Sequence, residues 1–291
     1  MQATGSLSTV LAALIALCAG CATVPPVQQS FTAGRDGSPV GRPLPCTGDI
    51  VLADPTAAPH PMPEPTFRVL SWNLHKNSDP GWEADLARFA ADADLLLLQE
   101  AALTAGLRRV LESAGVDWLL ASSFELGGHE TGVLSAARVR PAHACAQRSF
   151  EPLLQLPKSA AITRYEIRGR SDKLAVANVH AINFALGLEA YRAQLETIAL
   201  ELAGHRGPVI FAGDFNTWSL ERLEVVKDVV RGMGLVPVLP AVDTRSRFLG
   251  QQVDHIFVRG LDVLEARAPQ VGSSDHNPVL ATLRLSASDA P

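Results

Sequence analysis

The strongest constraint on the fold is a set of apolar runs too continuous to be half-exposed. "DLLLLQE" (94–100) strings four leucines together, "LAVANVHAI" (174–182) has one asparagine among aliphatic residues before its histidine, and "GPVIFAGDFN" (207–216) runs from Val209 to Ala212 without a break. A strand wetted on one face alternates polar and apolar residues, whereas an unbroken run is covered on both faces. Amphipathic stretches of helical period separate these runs: "GWEADLARFAADA" (81–93), "AGLRRVLESAG" (105–115), "GLEAYRAQLETIALELAGH" (187–205) and "LERLEVVKDVVRGMG" (220–234). "FRVLSWN" (67–73), "GVLSA" (132–136), "AAITRYEIR" (160–168), "VDHIFVRG" (253–260) and "PVLATLRL" (278–285) complete the strand series. Strands interleaved with helices predict a layered α/β domain. It spans 66–286 with no internal linker and is followed by a short polar tail, 287–291.

The residues before this domain read differently. No charged side chain precedes Arg35, and "LSTVLAALIALCAG" (7–20) has the length of the apolar core of an export signal, short for a membrane-spanning helix. "LCAGC" resembles a bacterial lipoprotein signal, so residues 1–20 are expected to be removed and Cys21 lipidated. The protein is then exported and anchored to a membrane. Residues 21–65 are rich in proline and lack apolar periodicity, which predicts an extended tether. After processing, Cys46 and Cys145 remain; in an oxidising compartment they either pair or stay as two separate thiols. The net charge of −5 argues against a protein whose main task is gripping nucleic acid, though not against a nuclease with a local basic patch.

Each apolar strand delivers a polar group where it ends. "VLSWN" gives Asn73, "LLLLQE" gives Glu100, and "VANVHAIN" gives His180 and Asn183. "VIFAGDFN" gives Asp214 and Asn216, "QQVDHIF" carries Asp254, and "SSDHNPV" gives Asp275 and His276. Singly, each reads as a cap or a solvated turn; gathered at one end of a sheet they form a site. Glu100 with hard oxygen neighbours suits Mg²⁺ or Mn²⁺, and no tight histidine spacing for zinc is present. His276, with an ordinary value of about 6.5, can act as general base on water, with Asp254 fixing its tautomer. Asp214 and Asn216 would orient the water and hold a phosphate, and His180 and Asn183 would donate to its other oxygens.

Taken in order, "SWNLH", "LLLLQE", "NVHAINF", "AGDFNTW", "VDHIF" and "SSDHNPV" resemble the endonuclease/exonuclease/phosphatase superfamily, and are most similar to a YafD-like bacterial branch. The resemblance covers 66–286. It implies a four-layered α/β sandwich, with two mixed sheets face to face and helices outside, and Mg²⁺-dependent phosphoester hydrolysis. It implies that Asn73 and Glu100 form the metal-site pair, that Asp275 is a metal-site or an orienting residue depending on the branch, and that His180 and Asn183 contact phosphate. It further implies that Asp214, Asn216, Asp254 and His276 are catalytic. More loosely, it places Lys158 facing the phosphate and Glu130 beside His180. His75 stands where abasic-site enzymes have an acid, which argues against their substrate. No hydrophobic hairpin of the sphingomyelinase kind and no strongly basic loop is evident, and specificity is assigned to loops 122–131, 184–190 and 240–252.

The function expected is an exported phosphodiesterase, acting as a monomer on nucleic acid or a lipid headgroup. A phosphomonoesterase on the same fold is the alternative, and a surface interaction protein on an inactive hydrolase scaffold is the rival from a different class.

Overall fold

The computed structural model describes residues 22–33, 40–46, 61–62 and 65–286. The signal, Cys21 and the polar tail lie outside these residues. In chain order the strands are β1 (Ala22–Thr23), β2 (Ser30–Ala33), β3 (Val40–Arg42), β4 (Thr66–Asn73), β5 (Leu95–Ala102) and β6 (Asp117–Leu126). They continue with β7 (His129–Ala137), β8 (His143–Phe150), β9 (Pro157–Glu166), β10 (Lys173–His180), β11 (Val209–Asp214) and β12 (Val236–Pro237). A hairpin of β13 (Arg247–Phe248) and β14 (Gln251–Gln252) leads into β15 (Asp254–Arg259), β16 (Leu261–Arg267) and β17 (Val279–Leu285). Four helices are described: α1 (Trp82–Asp92), α2 (Ala105–Ala114), α3 (Glu189–Leu202) and α4 (Leu220–Gly232).

One sheet has the order β16-β17-β4-β5-β7-β6-β2-β3, with β1 also on β6; the other has the order β12-β15-β11-β10-β9-β8. Both are mixed: β4 and β5 are parallel, as are β10 and β11, and their neighbours are antiparallel. The period of two along each strand explains the unbroken apolar runs. Phe67, Val69, Leu95 and Leu97 turn inward to meet Val176, Ile210, Ala212, Ile256 and Val258 of the second sheet. The intervening Leu70, Trp72, Leu96 and Leu98 turn outward onto Leu86 and Phe89 of α1 and Leu107 and Leu111 of α2. Ala177, Val179, Val209 and Phe211 do the same for Tyr191, Leu195 and Ile198 of α3 and Val225 and Val226 of α4. Helix, sheet, sheet, helix is the four-layered sandwich expected from the sequence.

Local signals start the helices on time. The Thr104 hydroxyl accepts from Leu107 N at the start of α2 and Ser219 from Arg222 N at the start of α4, each satisfying a backbone donor that the first turn leaves free.

The tether expected over 21–65 needs correction where the chain is described. Ala22 pairs with Leu126, Phe31 with Leu120, and Arg42 with Ser30, so this stretch extends the larger sheet at its edge. Leu44 is buried against Leu119, Val133 and Ala144, and Gln28 Nε2 donates to the Ser122 carbonyl. Cys46 is disulfide-bonded to Cys145 across 99 residues of sequence. The strands here are two to four residues long and interrupted by proline, so no periodicity could announce them. Among the described residues no helix is long and apolar enough to cross a membrane.

Candidate active site

Strand direction alone brings the distant motifs together. In the second sheet His180 lies beside Asp214, and Asp214 beside Asp254, on three adjacent strands. In the first sheet Asn73 pairs with Gln99, while Val279 pairs with Ser71 and so leaves His276 just ahead of β17 at the same end. By parity, residues 180, 214, 254 and 73 point into the gap between the sheets, continuing the inward rows of core residues. Asn73 Nδ2 closes that gap by donating to Asp214 Oδ2 at 3.0 Å.

Glu100 breaks the parity rule. Leu96 and Leu98 face the helices, so an even-numbered residue should follow them outward. Instead Glu100 has a φ of 47°, and the β5–β7 register shifts between Leu98 and Ala101. This bulge re-aims the carboxylate into the cleft, a placement that costs backbone strain. There Glu100 Oε2 accepts from Lys76 Nζ, and Oε1 lies 3.6 Å from His180 Nε2 and 4.0 Å from Lys158 Nζ. Burial alone would raise the Glu100 pKa. The charges around it, at His180 when protonated and at Lys158 and Lys76, outweigh burial and hold the carboxyl well below the usual range.

Asp214 is positioned by Gly213, whose φ is 141°; a Cβ there would sit 2.0 Å from the Val179 carbonyl oxygen. Only glycine permits β11 to lie this close to β10 just before the Asp214–Asn216 turn. Asp214 Oδ1 accepts from the Asn216 backbone N–H at 2.9 Å, and Asn216 Nδ2 donates to the Ala181 carbonyl. One Nδ2 hydrogen of Asn216 is thus committed to shaping the turn.

His276 and Asp254 pair as expected, with Nδ1 and Oδ2 2.7 Å apart; His276 Nε2 is 4.0 Å from Asp214 Oδ2. The backbone carbonyl of His276 accepts from Trp72 Nε1, which ties it to β4. Burial lowers the His276 pKa, but the Asp254, Asp214 and Asp275 carboxylates overcome it and push the imidazole up to about 10. The ordinary value assumed from sequence is thus displaced upward.

His180 moves the other way. Burial, then the Lys158 charge, lower it to about 4, so at neutral pH the ring is uncharged and its Nε2 accepts from Lys158 Nζ at 2.9 Å. Its Nε2 is occupied in this way, and Lys158 lines the cleft as a cationic donor together with Lys76.

Asn183 Oδ1 accepts from Trp218 Nε1, and its backbone N–H donates to Glu151 Oε1. Arg222 is buried and stacked between Tyr191 and Trp218, and it donates to the carbonyls of Ile182, Asn183 and Asn216. One guanidinium therefore fixes both polar loops. Arg222, on α4, and Lys76, in the turn after β4, lie off the strand ends and were not singled out in the sequence; Glu151, directly after β8, was missed because that strand was not recognised.

Two expectations are not met. Asp275 does not join Glu100 and Asn73; its exposed carboxylate lies 3.9 Å from His75 Nδ1 on the rim. Glu130 accepts from the Ser122 hydroxyl on the neighbouring strand, not from His180.

The donor set fits a hard cation. One ligand atom from each of Asp214, Asp254 and His276 lie within 4.8 Å of one another, and the buried Asp254 Oδ1 has no hydrogen-bond partner. Beside it, Lys76, Glu100, Lys158, His180 and Asn183 line a cleft of about 180 Å³ whose far wall is Phe124, Leu154, Leu156 and Phe184.

Residues 70–276 match the Endonuclease/Exonuclease/phosphatase family. The chain belongs to that family. Relatives of this endonuclease/exonuclease/phosphatase protein include a UPF0294 protein of Vibrio campbellii, 42% identical over 75% of this chain and 78% of its own. An endonuclease/exonuclease/phosphatase of Bacteroides vulgatus shares the fold at 18% identity with a TM-score of 0.60, covering 76% of this chain and 99% of its own. ANGEL2, a 2′,3′-cyclic phosphatase solved with adenosine-2′,3′-vanadate, does so at 19% identity and a TM-score of 0.56, covering 78% and 98%. The superfamily consists of phosphoester hydrolases, generally dependent on a divalent metal, and this chain has their fold.

Proposed function

We propose that the protein is an exported, metal-dependent phosphodiesterase in which His276 activates water. The observation that carries this reading is the buried Asp254–His276 pair, set beside Asp214 and His180, with Lys158 on His180, at the end of two facing sheets. Asp254 holds the proton on Nδ1, leaving Nε2 to take one from water. Lys158 faces the cleft as the counter-charge for a phosphate. Glu100 and Asn73 on one sheet, and Asp214 with the unpartnered Asp254 Oδ1 on the other, are the donors that would hold Mg²⁺ or Mn²⁺. When bound, such an ion neutralises charge on the phosphate and its leaving oxygen. Export and a lipid anchor on Cys21 belong to the same reading, and the Cys46–Cys145 bridge supports it, since structural disulfides persist in oxidising compartments.

The test is an assay of the full chain on bis-p-nitrophenyl phosphate and p-nitrophenyl phosphate, with Mg²⁺ and with EDTA. Diester cleavage that EDTA abolishes, and that His276→Ala lowers by about 10²–10⁴, is the expected result. Turnover that the folded variant retains in full overturns the assignment.

A further inference from the structure

The Asp254–His276 pair spans a seam. Asp254 opens β15 in the second sheet, whereas His276 stands just ahead of β17 in the first. The two sheets meet through aliphatic side chains, and packing of that kind has no direction. It brings the backbones together but does not set a 2.7 Å contact between two polar side chains. Directional hydrogen bonds on each side of the seam do that.

On the first-sheet side, the loop that carries His276 is tied to β4. Ser274 Oγ donates to the Asn73 carbonyl and accepts from the His276 backbone N–H, and the His276 carbonyl accepts from Trp72 Nε1. These three bonds fix the loop to its own sheet, and none of them reaches Asp254.

A short segment ahead of the β13–β14 hairpin reaches both partners. Arg245 donates twice to the Asp243 carboxylate, from Nε to Oδ1 at 2.8 Å and from Nη2 to Oδ2 at 2.7 Å. Gln252 Nε2 donates to the same carboxylate from the far strand of the hairpin. Held in this fork, Arg245 is only 7% exposed, and its Nη1 donates to the Asp254 carbonyl at 3.2 Å. The next residue serves the other side. Ser246 Oγ accepts from the Asn277 backbone N–H at 2.7 Å and donates to the Asp275 carbonyl at 3.1 Å. One hydroxyl thus takes a peptide group on either side of His276. Asn277 Nδ2 returns a bond to the Thr244 carbonyl at 2.7 Å, and Thr244 Oγ1 donates to the Ala268 carbonyl. Two adjacent residues, 245 and 246, therefore hold Asp254 and the His276 loop, with a single peptide bond between them.

We infer that Arg245 and Ser246 are positioning residues for the Asp254–His276 pair, fixing across the two sheets the geometry in which His276 Nε2 meets the attacking water. This role rests on the hydrolase reading above and names the residues on which its base depends. Neither side chain touches the reacting atoms; each acts through the backbone beside a residue that does. A reacting group displaced by about 1 Å costs on the order of 10²-fold in rate. Lys76, Lys158 and Asn183, which line the cleft, make no bond to this segment and stay in place. Loosening the clamp therefore lowers kcat and kcat/KM alike and leaves KM where it was.

The experiment compares the full chain with three variants. Ser246→Ala removes one half-buried oxygen and keeps the Arg245 fork, so the fold is retained. Ser246→Thr restores the hydroxyl, and Arg247→Ala removes only a bond within the hairpin, to the Gly250 carbonyl. Two readouts are taken. One is kcat and KM on bis-p-nitrophenyl phosphate with Mg²⁺. The other, without substrate, is the low-field proton resonance of His276 Nδ1–H, identified by its loss in His276→Ala. Ser246→Ala is expected to lower kcat by about tenfold or more, with KM within twofold, and to shift or broaden that resonance. Ser246→Thr and Arg247→Ala should keep kcat within twofold and leave the resonance in place. An unchanged kcat and resonance in Ser246→Ala overturns the inference. So does an equal loss in Arg247→Ala, which would mean a general loosening of the loop, or a Ser246→Thr protein as slow as Ser246→Ala. A raised KM at unchanged kcat overturns it too, by placing Ser246 with the substrate cleft. An altered resonance in Ser246→Ala, with no turnover from the unaltered protein, overturns the hydrolase reading and leaves the positioning of the pair standing.

Discussion

His276 Nδ1 lies 2.7 Å from Asp254 Oδ2, and this contact sets both the aim and the charge of the ring. With the imidazole pushed up to about 10, base activity belongs to a deprotonated fraction that grows with pH. The expected profile of kcat/KM therefore rises between the free-imidazole value of about 6.5 and about 10. Asp254→Asn removes the largest stabiliser of the imidazolium, so the rising limb should move to lower pH while the plateau falls. A profile that is flat from pH 6 to 10 in the unaltered protein rules out His276 as the base.

Glu100 is crowded by cations, and that makes its role separable from general stability. Glu100→Gln keeps the shape and the accepting oxygen but removes the charge that Lys76 and Lys158 now neutralise. The Mg²⁺ concentration for half-maximal turnover should rise by about tenfold or more, comparable to losses seen when metal-site ligation is perturbed. Identical Mg²⁺ titrations for the two proteins would remove Glu100 from the metal site.

Gly213 tests whether the close approach of β10 and β11 is required. Its added Cβ would lie 2.0 Å from a backbone oxygen, which no side-chain adjustment relieves. Gly213→Ala should cost about 3 kcal/mol or more, at the upper end of single-residue effects, read as a lowered urea midpoint. Activity in the folded remainder should also fall, because Asp214 is the next residue. A midpoint unchanged from the unaltered protein would show that the strands separate cheaply.

The layers were legible in the sequence because the strands are buried on both faces, and Leu95–Leu98 and Val209–Ala212 declare that without alternation. The polar strand ends were legible for the same reason: Asn73, His180, Asp214 and Asp254 follow the inward parity of their strands. Glu100 was singled out as the polar group closing its strand, but it reaches the site only through a bulge, which no pattern of side chains encodes. The edge strands over 22–42 were missed because pairs and triplets of residues carry no period. β6, β8 and β16 were missed because each mixes polar and apolar residues irregularly. Asp275 was misplaced because adjacency to His276 in sequence says nothing of direction: the two side chains diverge, one to the cleft and one to the rim.

The Cys46–Cys145 bridge closes 99 residues. A loop of that length corresponds to about 4.7 kcal/mol of lost unfolded-state entropy, if the crosslink acts through chain entropy alone. Cys46→Ser should lower stability by about 2–5 kcal/mol and release the edge segment, so that proteolysis begins before Thr66 while the two main sheets persist. Equal stability of the oxidised and reduced protein in urea would mean that Leu44 and the paired strands hold the segment without it.

The last prediction concerns acid. His255 is wholly enclosed: burial, then the Arg245 charge, lower it to about 3. Its hydrogen bonds agree with a neutral ring, since Arg245 Nη1 faces Nδ1 at 3.3 Å, and Nε2 lies 2.7 Å from a Thr217 hydroxyl already donating to the Gln252 carbonyl. His180, lowered to about 4, behaves alike. Both folded values lie below the unfolded value of about 6.5, so their contribution is complete above that pH and is lost as pH falls toward 4 and 3. His276 has the opposite sign: raised to about 10, it stabilises fully below pH 6.5 and its contribution fades as pH rises to 10. Stability should therefore peak near pH 6.5–7. Between pH 6 and 5 the two neutral histidines should together cost up to about 2.7 kcal/mol per pH unit, twice the single-group slope of about 1.4. The carboxylates add little in that window, since those displaced downward, such as Asp243 at about 2, are ionised in both states. Urea unfolding at half-unit steps from pH 8 to 5 measures the curve. His255→Gln should lower stability at pH 7.5 and make the acid limb shallower; an equally steep limb in that variant would mean that His255 does not drive it.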